Sequence, residues 1–278
     1  MNYYNRRAIS DLTAKLVVLL ITLVFVGCSD DDEDTSTHEC DDLLTSVVTE
    51  VRHIDWSADT DRIMTNASSA KLSLGVRSIE DFPSFISRDS IYLKGTEMEV
   101  NNLNIDTTNN NLLFFDNCNN TSEELRIDFQ PFIANNLVNE SNGSISGSFL
   151  VSSPTMVNRG KGDIHVTASG LNSAGLIGNV TLENESSGSL IVIAEAQGLT
   201  NNKAAVINSG SGDILIDSYQ IQEFDIEIAG DGDVYIWVNS FFGKINAEIE
   251  GAGNIYFKGT PFTIEKKGDG TGEIIDNN

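Results

Sequence analysis

The sequence has little positive charge, because 17 Lys and Arg residues stand against 41 Asp and Glu residues among its 278 positions. Its formal net charge of −24 repels the phosphates of nucleic acids, whose binding depends on Lys and Arg side chains. A nucleic-acid function is therefore excluded. Residues 1–27 carry three positive charges and one negative charge, so removing this segment would leave a net charge near −26. Such a surface also repels anionic membranes and favours solubility.

The sequence is also poor in the residues that build catalytic and metal sites. Its three histidines are His38, His53 and His165, and no His/Cys spacing typical of zinc and no nucleophile-elbow motif accompanies them. His165 lies between two apolar strand residues and is expected to point outward. None of the Gly-x-Gly turns continues into a dinucleotide fingerprint or a P-loop. We therefore predict no catalytic residue, no metal ligand and no cofactor.

Long apolar runs are missing as well, since a membrane-spanning helix needs about 20 apolar residues. The run from Leu16 to Val26 has eleven residues, follows a basic start and ends at Gly27-Cys28. This pattern is typical of a signal peptide, and its junction resembles that of a bacterial lipoprotein. The resemblance implies that residues 1–27 are removed and that Cys28 is acylated to become the first mature residue. An ordinary signal peptide or an uncut anchor is the alternative.

An acidic run, Ser29 followed by residues 30–34, comes directly after Cys28. Like charges in a block cannot pack, so residues 28–45 are expected to form a solvated tether before a β domain at 46–278. The run resembles the surface-export signal of lipoproteins in the Bacteroidetes group, which implies a surface-exposed outer-membrane lipoprotein. A plain spacer is the alternative. Membrane contact would come through the N-terminal lipid, and two or more acyl chains anchor a protein stably.

Cysteine is scarce too, because only Cys40 and Cys118 remain besides the lipidation candidate. An exported compartment permits a disulfide between them. A disulfide and two free thiols are both open.

A repeated glycine turn is the feature that the sequence does have. The second glycines of these turns lie at positions 162, 188, 212, 232, 253 and 272, at intervals of 19 to 26 residues. Apolar residues alternate after each turn, as at Ile214 and Ile216, and this alternation predicts a strand with one buried face. The run 204–208 breaks the alternation. Both glycines of a turn are expected to adopt a positive φ and so bend the chain sharply.

Turns that recur at one phase predict an all-β fold, a parallel β-helix (β-solenoid), right-handed, with coils of about 20 residues. Regular coils are expected over residues 145–276 and irregular coils over 46–144. Strands are predicted at residues 91–93, 112–115 and 125–129. Leu43, Leu44, Val47, Val48 and Val51 have helical spacing, although their β-branched content leaves a strand open. An antiparallel β-sandwich is the alternative fold.

Two groups of residues in the repeats are candidates for function. The residue after the second glycine is Asp or Asn in four turns, at Asp163, Asp213, Asp233 and Asn254, and Glu273 takes this position in the last turn. These side chains would stack along one edge, where they either cap the turns or hold a cation such as Ca²⁺.

The second group is aromatic. Tyr235, Trp237 and Tyr256 alternate with inward apolar residues, so they should face outward, with Phe241 and Phe242 nearby. An exposed aromatic face of this kind binds sugar rings or a protein partner. The alternative is that the first half of the chain, or a neighbouring molecule, covers these side chains.

The segment Gly251-Ala-Gly-Asn-Ile-Tyr-Phe-Lys-Gly-Thr-Pro261 and its earlier copies resemble the putative auto-transporter adhesin, head GIN domain family. A fainter match begins at Arg77-Ser78-Ile79, so that the resemblance covers about residues 75–265. It implies a β-helical exported domain, often on a lipoprotein, and little chemistry. We therefore expect a non-catalytic binding or adhesion module for a glycan or a surface protein. A β-helical polysaccharide-active enzyme and a structural envelope component with a protein partner are the alternatives.

Overall fold

The protein is described by a computed structural model. The structure describes residues 47–53, 63–74, 90–107, 111–116, 125–129, 136–151, 154–170, 179–195, 202–217, 221–238 and 243–278. All of them belong to one compact unit that extends from Asp42 to Asn278.

These residues form strands almost throughout, with one short helix. The elements are β1 (Val47–His53), β2 (Ile63–Ala67), β3 (Lys71–Leu74), β4 (Ser90–Thr96), α1 (Glu97–Asn102), β5 (Leu103–Asp106), β6 (Asn111–Asp116), β7 (Arg126–Phe129), β8 (Asn136–Asn139), β9 (Ile145–Val151), β10 (Thr155–Asn158), β11 (Ile164–Gly170), β12 (Val180–Asn184), β13 (Leu190–Glu195), β14 (Asn202–Asn208), β15 (Ile214–Asp217), β16 (Ile221–Ile228), β17 (Val234–Trp237), β18 (Lys244–Ile249), β19 (Ile255–Lys258), β20 (Thr263–Lys267) and β21 (Ile274–Asp276).

The strands form two sheets, one of eleven strands and one of ten. From β8 onward the chain alternates between the sheets, and each strand pairs in parallel with the strand two positions later. This is the parallel β-solenoid that the repeat predicts, and the parallel pairing excludes the antiparallel sandwich. The handedness and the coil length of about 20 residues stay predictions.

The glycine turns keep successive coils in register. Ile164 pairs with Leu190, which pairs with Ile214, and the same row continues through Val234 and Ile255 to the last coil. Because the side chains of a strand alternate, these residues and those two positions later point between the two sheets. Up to β19 they are buried, and they form one continuous core that the two sheets enclose.

The turn glycines are needed for a different reason from the one that the sequence suggests. Among the described glycines only Gly147, Gly259 and Gly268 have a positive φ, so the expected positive φ at the Gly-x-Gly turns is wrong. Instead the turns of successive coils stack closely. A Cβ added at Gly232 would lie less than 3.0 Å from the carbonyl oxygen of Gly212 in the preceding coil, where no side chain fits.

The first half of the solenoid is irregular in two ways. β4 pairs antiparallel with β1 and β7, and β5 pairs antiparallel with β6. The order of coils also departs from the order of the chain, because β3 lies between β7 and β9 and β2 lies between β6 and β8. The predicted strands at 91–93, 112–115 and 125–129 fall in β4, β6 and β7, whereas the helical spacing that includes Val47 and Val51 is misleading, since both residues lie in strand β1.

A column of buried asparagines runs through the first coils. Its members are fully buried, and each is in register with the next on a neighbouring strand. They are Asn66, Asn139, Asn158, Asn184 and Asn208. Their amides bond between coils, as when Asn139 Nδ2 donates to Asn158 Oδ1 at 3.1 Å and to the carbonyl of Gly162 at 2.8 Å. The run 204–208 therefore keeps the alternation, contrary to the sequence interpretation, because Asn208 points inward and apolar Ile207 outward.

Candidate functional site

The outer face of the eleven-stranded sheet carries an apolar row along the solenoid axis. The row takes one half-buried side chain from each of five neighbouring strands, in register: Ile191, Leu215, Tyr235, Tyr256 and Ile275. The first four of these residues each lie between two inward-facing apolar residues on their own strand, so the alternation that builds the core also builds this row. The two tyrosines face outward as the alternation predicts.

Tyr235 and Tyr256 stack on each other within this row. Their ring centroids are 5.0 Å apart and their planes differ by 9°. Neighbouring strands lie about 4.8 Å apart, so identical side chains in register come together face to face. Because each ring covers one face of the other, the pair presents ring edges and hydroxyl groups to solvent.

The phenol of Tyr235 interacts with the acids of the turns. Its hydroxyl lies 3.5 Å from Asp233 Oδ2, to which it donates. Burial raises the pKa of Tyr235, and the negative charges of Asp213 and Asp233 raise it further. Tyr235 therefore stays a neutral hydroxyl group, able to donate or accept a hydrogen bond, at physiological pH.

Trp237 lies beside the tyrosine pair in a second outward row. It is 44% exposed and stands in register with Lys258 of the next strand. A shallow groove of about 230 Å³ separates the two rows. We call it the aromatic groove, and it is lined by Leu215, Ile216, Asp217, Tyr235, Ile236, Trp237, Tyr256, Phe257, Lys258 and Asn277.

The aromatic groove combines apolar and polar groups in a small area. The indole and the tyrosine edges supply apolar surface, whereas Asp217, Lys258 and Asn277 supply a carboxylate, an ammonium and an amide. All of the lining residues come from positions 215–277, so among the described residues the first half of the chain does not line the groove. The role of these aromatic residues in binding stays a prediction.

The turn acids act as caps between coils. Asp163 Oδ1 accepts the backbone N–H of Ser189 at 2.7 Å, and Asp213 Oδ1 accepts that of Asp233 at 2.9 Å. Asp233 Oδ1 in turn accepts the N–H of Asn254 at 2.7 Å, and Asn254 Oδ1 accepts that of Glu273 at 3.0 Å. Each side chain thus satisfies a donor of the following turn, which supports the capping interpretation over a cation site.

Within the part of the chain that the structure describes, no group of three or more His, Cys, Asp and Glu residues has the arrangement of a metal site. His165 is exposed on the outer face, as expected. No helix of the described ranges is long and apolar enough to cross a membrane.

A second groove, on the outer face of the ten-stranded sheet, was not found from the sequence. It has a volume of about 530 Å³, and acidic side chains from three neighbouring strands line it: Asp225, Glu227, Glu248 and Glu265. We call it the acidic groove. Asn246 of β18, the middle one of these strands, donates to Asp225 Oδ1 at 2.8 Å. The outward positions of β16 and β18 do alternate in the sequence, so they could have revealed this groove once the coils were aligned.

An ion pair lies on the same outer face. Lys203 Nζ stands 2.6 Å from Glu223 Oε2, and this contact lowers the pKa of Glu223 and raises that of Lys203. The pair links β14 to β16, two neighbouring strands of the ten-stranded sheet.

Several predicted residues lie outside the described ranges. They are the lipidation candidate Cys28, the possible disulfide partners Cys40 and Cys118, the acidic run at 29–34, His38, Phe241 and Phe242.

Comparison with known families gives one decisive match. The family model described as "Putative auto-transporter adhesin, head GIN domain" matches residues 87–261. The chain belongs to this family. The matched range includes the aromatic residues of the groove and the turn acids 163 to 254, whereas Cys28 and Cys40 lie before it. Membership in the family indicates an adhesin-like protein of the cell surface or envelope.

Crystal structures of other proteins resemble this chain to different degrees. A crystal structure of a putative adhesin from Bacteroides fragilis matches with a TM-score of 0.59 at 14% identity, covering 83% of this chain and 97% of the other. A putative lipid binding protein and a putative adhesin, both from Parabacteroides distasonis, give TM-scores of 0.48 and 0.45 at 16% and 13% identity. These two cover 84% and 83% of this chain, and 97% of their own chains. The first similarity shows a common fold, and comparison with curated proteins finds no match.

Proposed function

We propose that this protein is a lipid-anchored, non-catalytic adhesin-like module of the outer membrane that binds neutral glycans through the aromatic groove. The observation that carries the proposal is the groove itself, in which an exposed indole lies beside a carboxylate, an ammonium and a stacked tyrosine pair. A sugar ring has an apolar C–H face and a rim of hydroxyl groups. It therefore needs an aromatic surface and hydrogen-bonding groups at the same place.

The size of the groove favours a sugar over a protein. A stable protein–protein interface buries about 800 Å² on each partner, spread over 20 to 30 residues. The aromatic groove is shallow, holds about 230 Å³ and is lined by ten residues. These dimensions suit a short stretch of saccharide.

The charge of the protein favours a neutral glycan. The full chain has a net charge of −24, and Asp213, Asp217 and Asp233 lie in or next to the groove. Sulfated and uronate-rich glycans carry negative charges that this field repels. Lys258 alone among the lining residues is cationic.

Binding is tested with the full chain, purified in detergent, on immobilised β-glucan, mannan and chitin oligosaccharides, with heparin as the anionic comparison. Trp237→Ala should weaken binding to the preferred neutral glycan by about tenfold, or ~1.4 kcal/mol. The matched control is Ile207→Ala, which removes an outward apolar side chain from the acidic groove on the opposite sheet and so also reports any binding there.

If the Trp237→Ala and Ile207→Ala variants bind the glycan equally well, the aromatic groove is not the glycan-binding site. If the protein binds an immobilised protein such as collagen and no neutral glycan, its ligand is a protein and the glycan proposal is wrong.

The anchoring part of the proposal is supported by residues 1–34, whose basic start, apolar run, Gly27-Cys28 junction and acidic run follow the pattern of exported lipoproteins. Cells are labelled with palmitate and treated intact with protease, for the wild type, Cys28→Ala and a variant with residues 30–34 neutralised. Label that depends on Cys28, with digestion of the domain on intact cells, is expected. If the protein is labelled but protected from protease, it faces the periplasm. If no label appears, the lipid anchor is refuted.

One observation favours a second candidate function, that of a polysaccharide-active enzyme. The acidic groove aligns carboxylates on neighbouring strands, and glycoside hydrolysis requires a pair of carboxylates across a groove. The proposed non-catalytic function predicts no release of reducing sugar from any glycan that the protein binds. Release that disappears in Glu248→Gln would establish the enzyme instead.

A further inference from the structure

The end of the solenoid formed by the first strands is closed by its own elements. Helix α1 connects β4 of the eleven-stranded sheet to β5 of the ten-stranded sheet, and its Val100 is fully buried. Arg52 of β1 donates from its guanidinium to the carbonyls of Val100 and Leu103 at 2.6 Å each. These bonds satisfy acceptors at the end of the helix, so a dedicated cap covers this end of the core.

The opposite end is formed by β20 and β21, which are the edge strands of the two sheets. Ile264 points inward, in register with fully buried Ile245, yet it is 45% exposed. Phe262 beside it is 80% exposed. An edge strand also presents backbone donors and acceptors to any further strand. Apolar side chains and free edges together are the features onto which a parallel solenoid adds another coil.

Two charges interrupt the core rows at this end. The inward row Val206, Ile226 and Ala247 of the ten-stranded sheet continues to Lys266. In the eleven-stranded sheet, the inward row of Ile236 and Phe257 continues to Asp276. The preceding members are apolar and buried, so each row changes from apolar to charged at its last position.

Both charged side chains bond within the last coil. Lys266 Nζ donates to the carbonyl of Gly272 at 2.7 Å, which joins β20 to the turn before β21. Asp276 Oδ1 accepts from the backbone N–H and the amide of Asn278, at 3.0 and 2.6 Å. A further coil stacked here would bury both groups and separate them from water, which costs free energy for any charge without a partner.

We infer that Lys266 and Asp276 block strand addition at this end and so keep a second copy of the protein from stacking on β20 and β21. Inward-pointing charges on edge strands are a known way to prevent edge-to-edge association. The device leaves the protein a single solenoid, with its outer faces available along their whole length. It does not depend on which ligand the outer face binds.

The test replaces both charges by valine, which continues the two apolar rows. The full chain in a mild detergent is compared by sedimentation velocity over a hundredfold range of concentration. The matched control is the double variant Glu265→Val with Lys267→Val, which also removes one acid and one lysine but changes outward positions of β20. Circular dichroism checks that each variant retains its β structure.

The wild type and the control are expected to sediment as monomers at every concentration. Lys266→Val with Asp276→Val is expected to shift to dimers or longer assemblies as the concentration rises. Equal sedimentation of the two double variants would overturn the inference, and so would a wild type that associates as strongly as the valine variant. If the double variant lost its β structure, Lys266→Val and Asp276→Val would be measured singly, and each must associate more than the single control variants Glu265→Val and Lys267→Val.

Discussion

Buried asparagines, rather than the exposed acids, form much of the side-chain hydrogen bonding between the first coils. An amide in the core is costly unless its donors and acceptors are bonded, and Asn139, Asn184 and Asn208 each donate to the carbonyl of a turn glycine. Asn184 Nδ2 reaches the carbonyl of Gly212 at 2.8 Å and Asn208 Oδ1 at 3.4 Å. In later coils Ile228 and Ile249 replace the asparagines at the same register position. The sequence signal was available for four of the five, because Asn139, Asn158, Asn184 and Asn208 each lie four residues before a turn glycine.

The first residue-scale prediction concerns Asn184→Ala. This change removes the donor to Gly212 and leaves a small cavity, so the free energy of unfolding should fall by about 1–3 kcal/mol. The control is Asn246→Ala, which removes an outward amide and should change stability by less than about 0.5 kcal/mol. Chemical denaturation measures both. Similar losses in the two variants would show that burial of the amide is not what matters.

The second residue-scale prediction concerns the pKa of Tyr235. Burial and the charges of Asp213 and Asp233 all raise this pKa, so Asp213→Asn should lower it. It should still stay above the ordinary value of about 10, because burial remains. Phenolate absorbance is titrated with pH, and the signal of Tyr235 is obtained by subtracting the Tyr235→Phe variant. Asp163→Asn, two coils before Asp213 along the same edge, should leave the titration unchanged, and an equal shift in that control would contradict the account.

At the scale of the element, the glycine turn shows what sequence can and cannot predict. The position and register of the turns follow from the repeat, since a glycine turn returns at intervals of 19 to 26 residues. The reason that these positions must be glycine does not follow from the repeat, because it depends on the distance between the turn and the turn of the preceding coil. Gly210 and Gly212 lie under Gly230 and Gly232 so closely that no Cβ fits between turn and carbonyl. The sequence of a single coil does not indicate this contact, because the contact is made with a neighbouring coil.

The corresponding prediction is that Gly232→Ala destabilises the solenoid. Its Cβ would meet the carbonyl oxygen of Gly212, so the two turns must separate, and overpacking of this kind costs about 1–3 kcal/mol or more. Asp231→Ala is the control, since it changes the exposed middle residue of the same turn. The midpoint of thermal unfolding compares the two variants. A Gly232→Ala protein as stable as Asp231→Ala would mean that the turns do not stack as described.

At the scale of the whole molecule, the regular half of the fold was predictable and the irregular half was not. Period-two alternation after each turn determines which faces are inward, and in-register stacking then places Tyr235 over Tyr256. By contrast, the insertion of β2 and β3 between later strands joins residues that are distant in the chain, and no local pattern encodes it. The aromatic groove was half predictable, because its tyrosines and Trp237 were found. Asp217 and Lys258 join them only through the register of neighbouring coils.

The central claim is that the protein, anchored to the cell by its lipid, attaches the cell to neutral glycans through the aromatic groove. The most direct measurement is attachment of intact cells that carry the wild type, Trp237→Ala, Ile207→Ala or Cys28→Ala to surfaces coated with β-glucan, mannan or chitin oligosaccharide. The account predicts that wild-type and Ile207→Ala cells attach to at least one neutral glycan, whereas Trp237→Ala and Cys28→Ala cells do not. Attachment by Trp237→Ala cells equal to that of the wild type, on the same glycan, would contradict it.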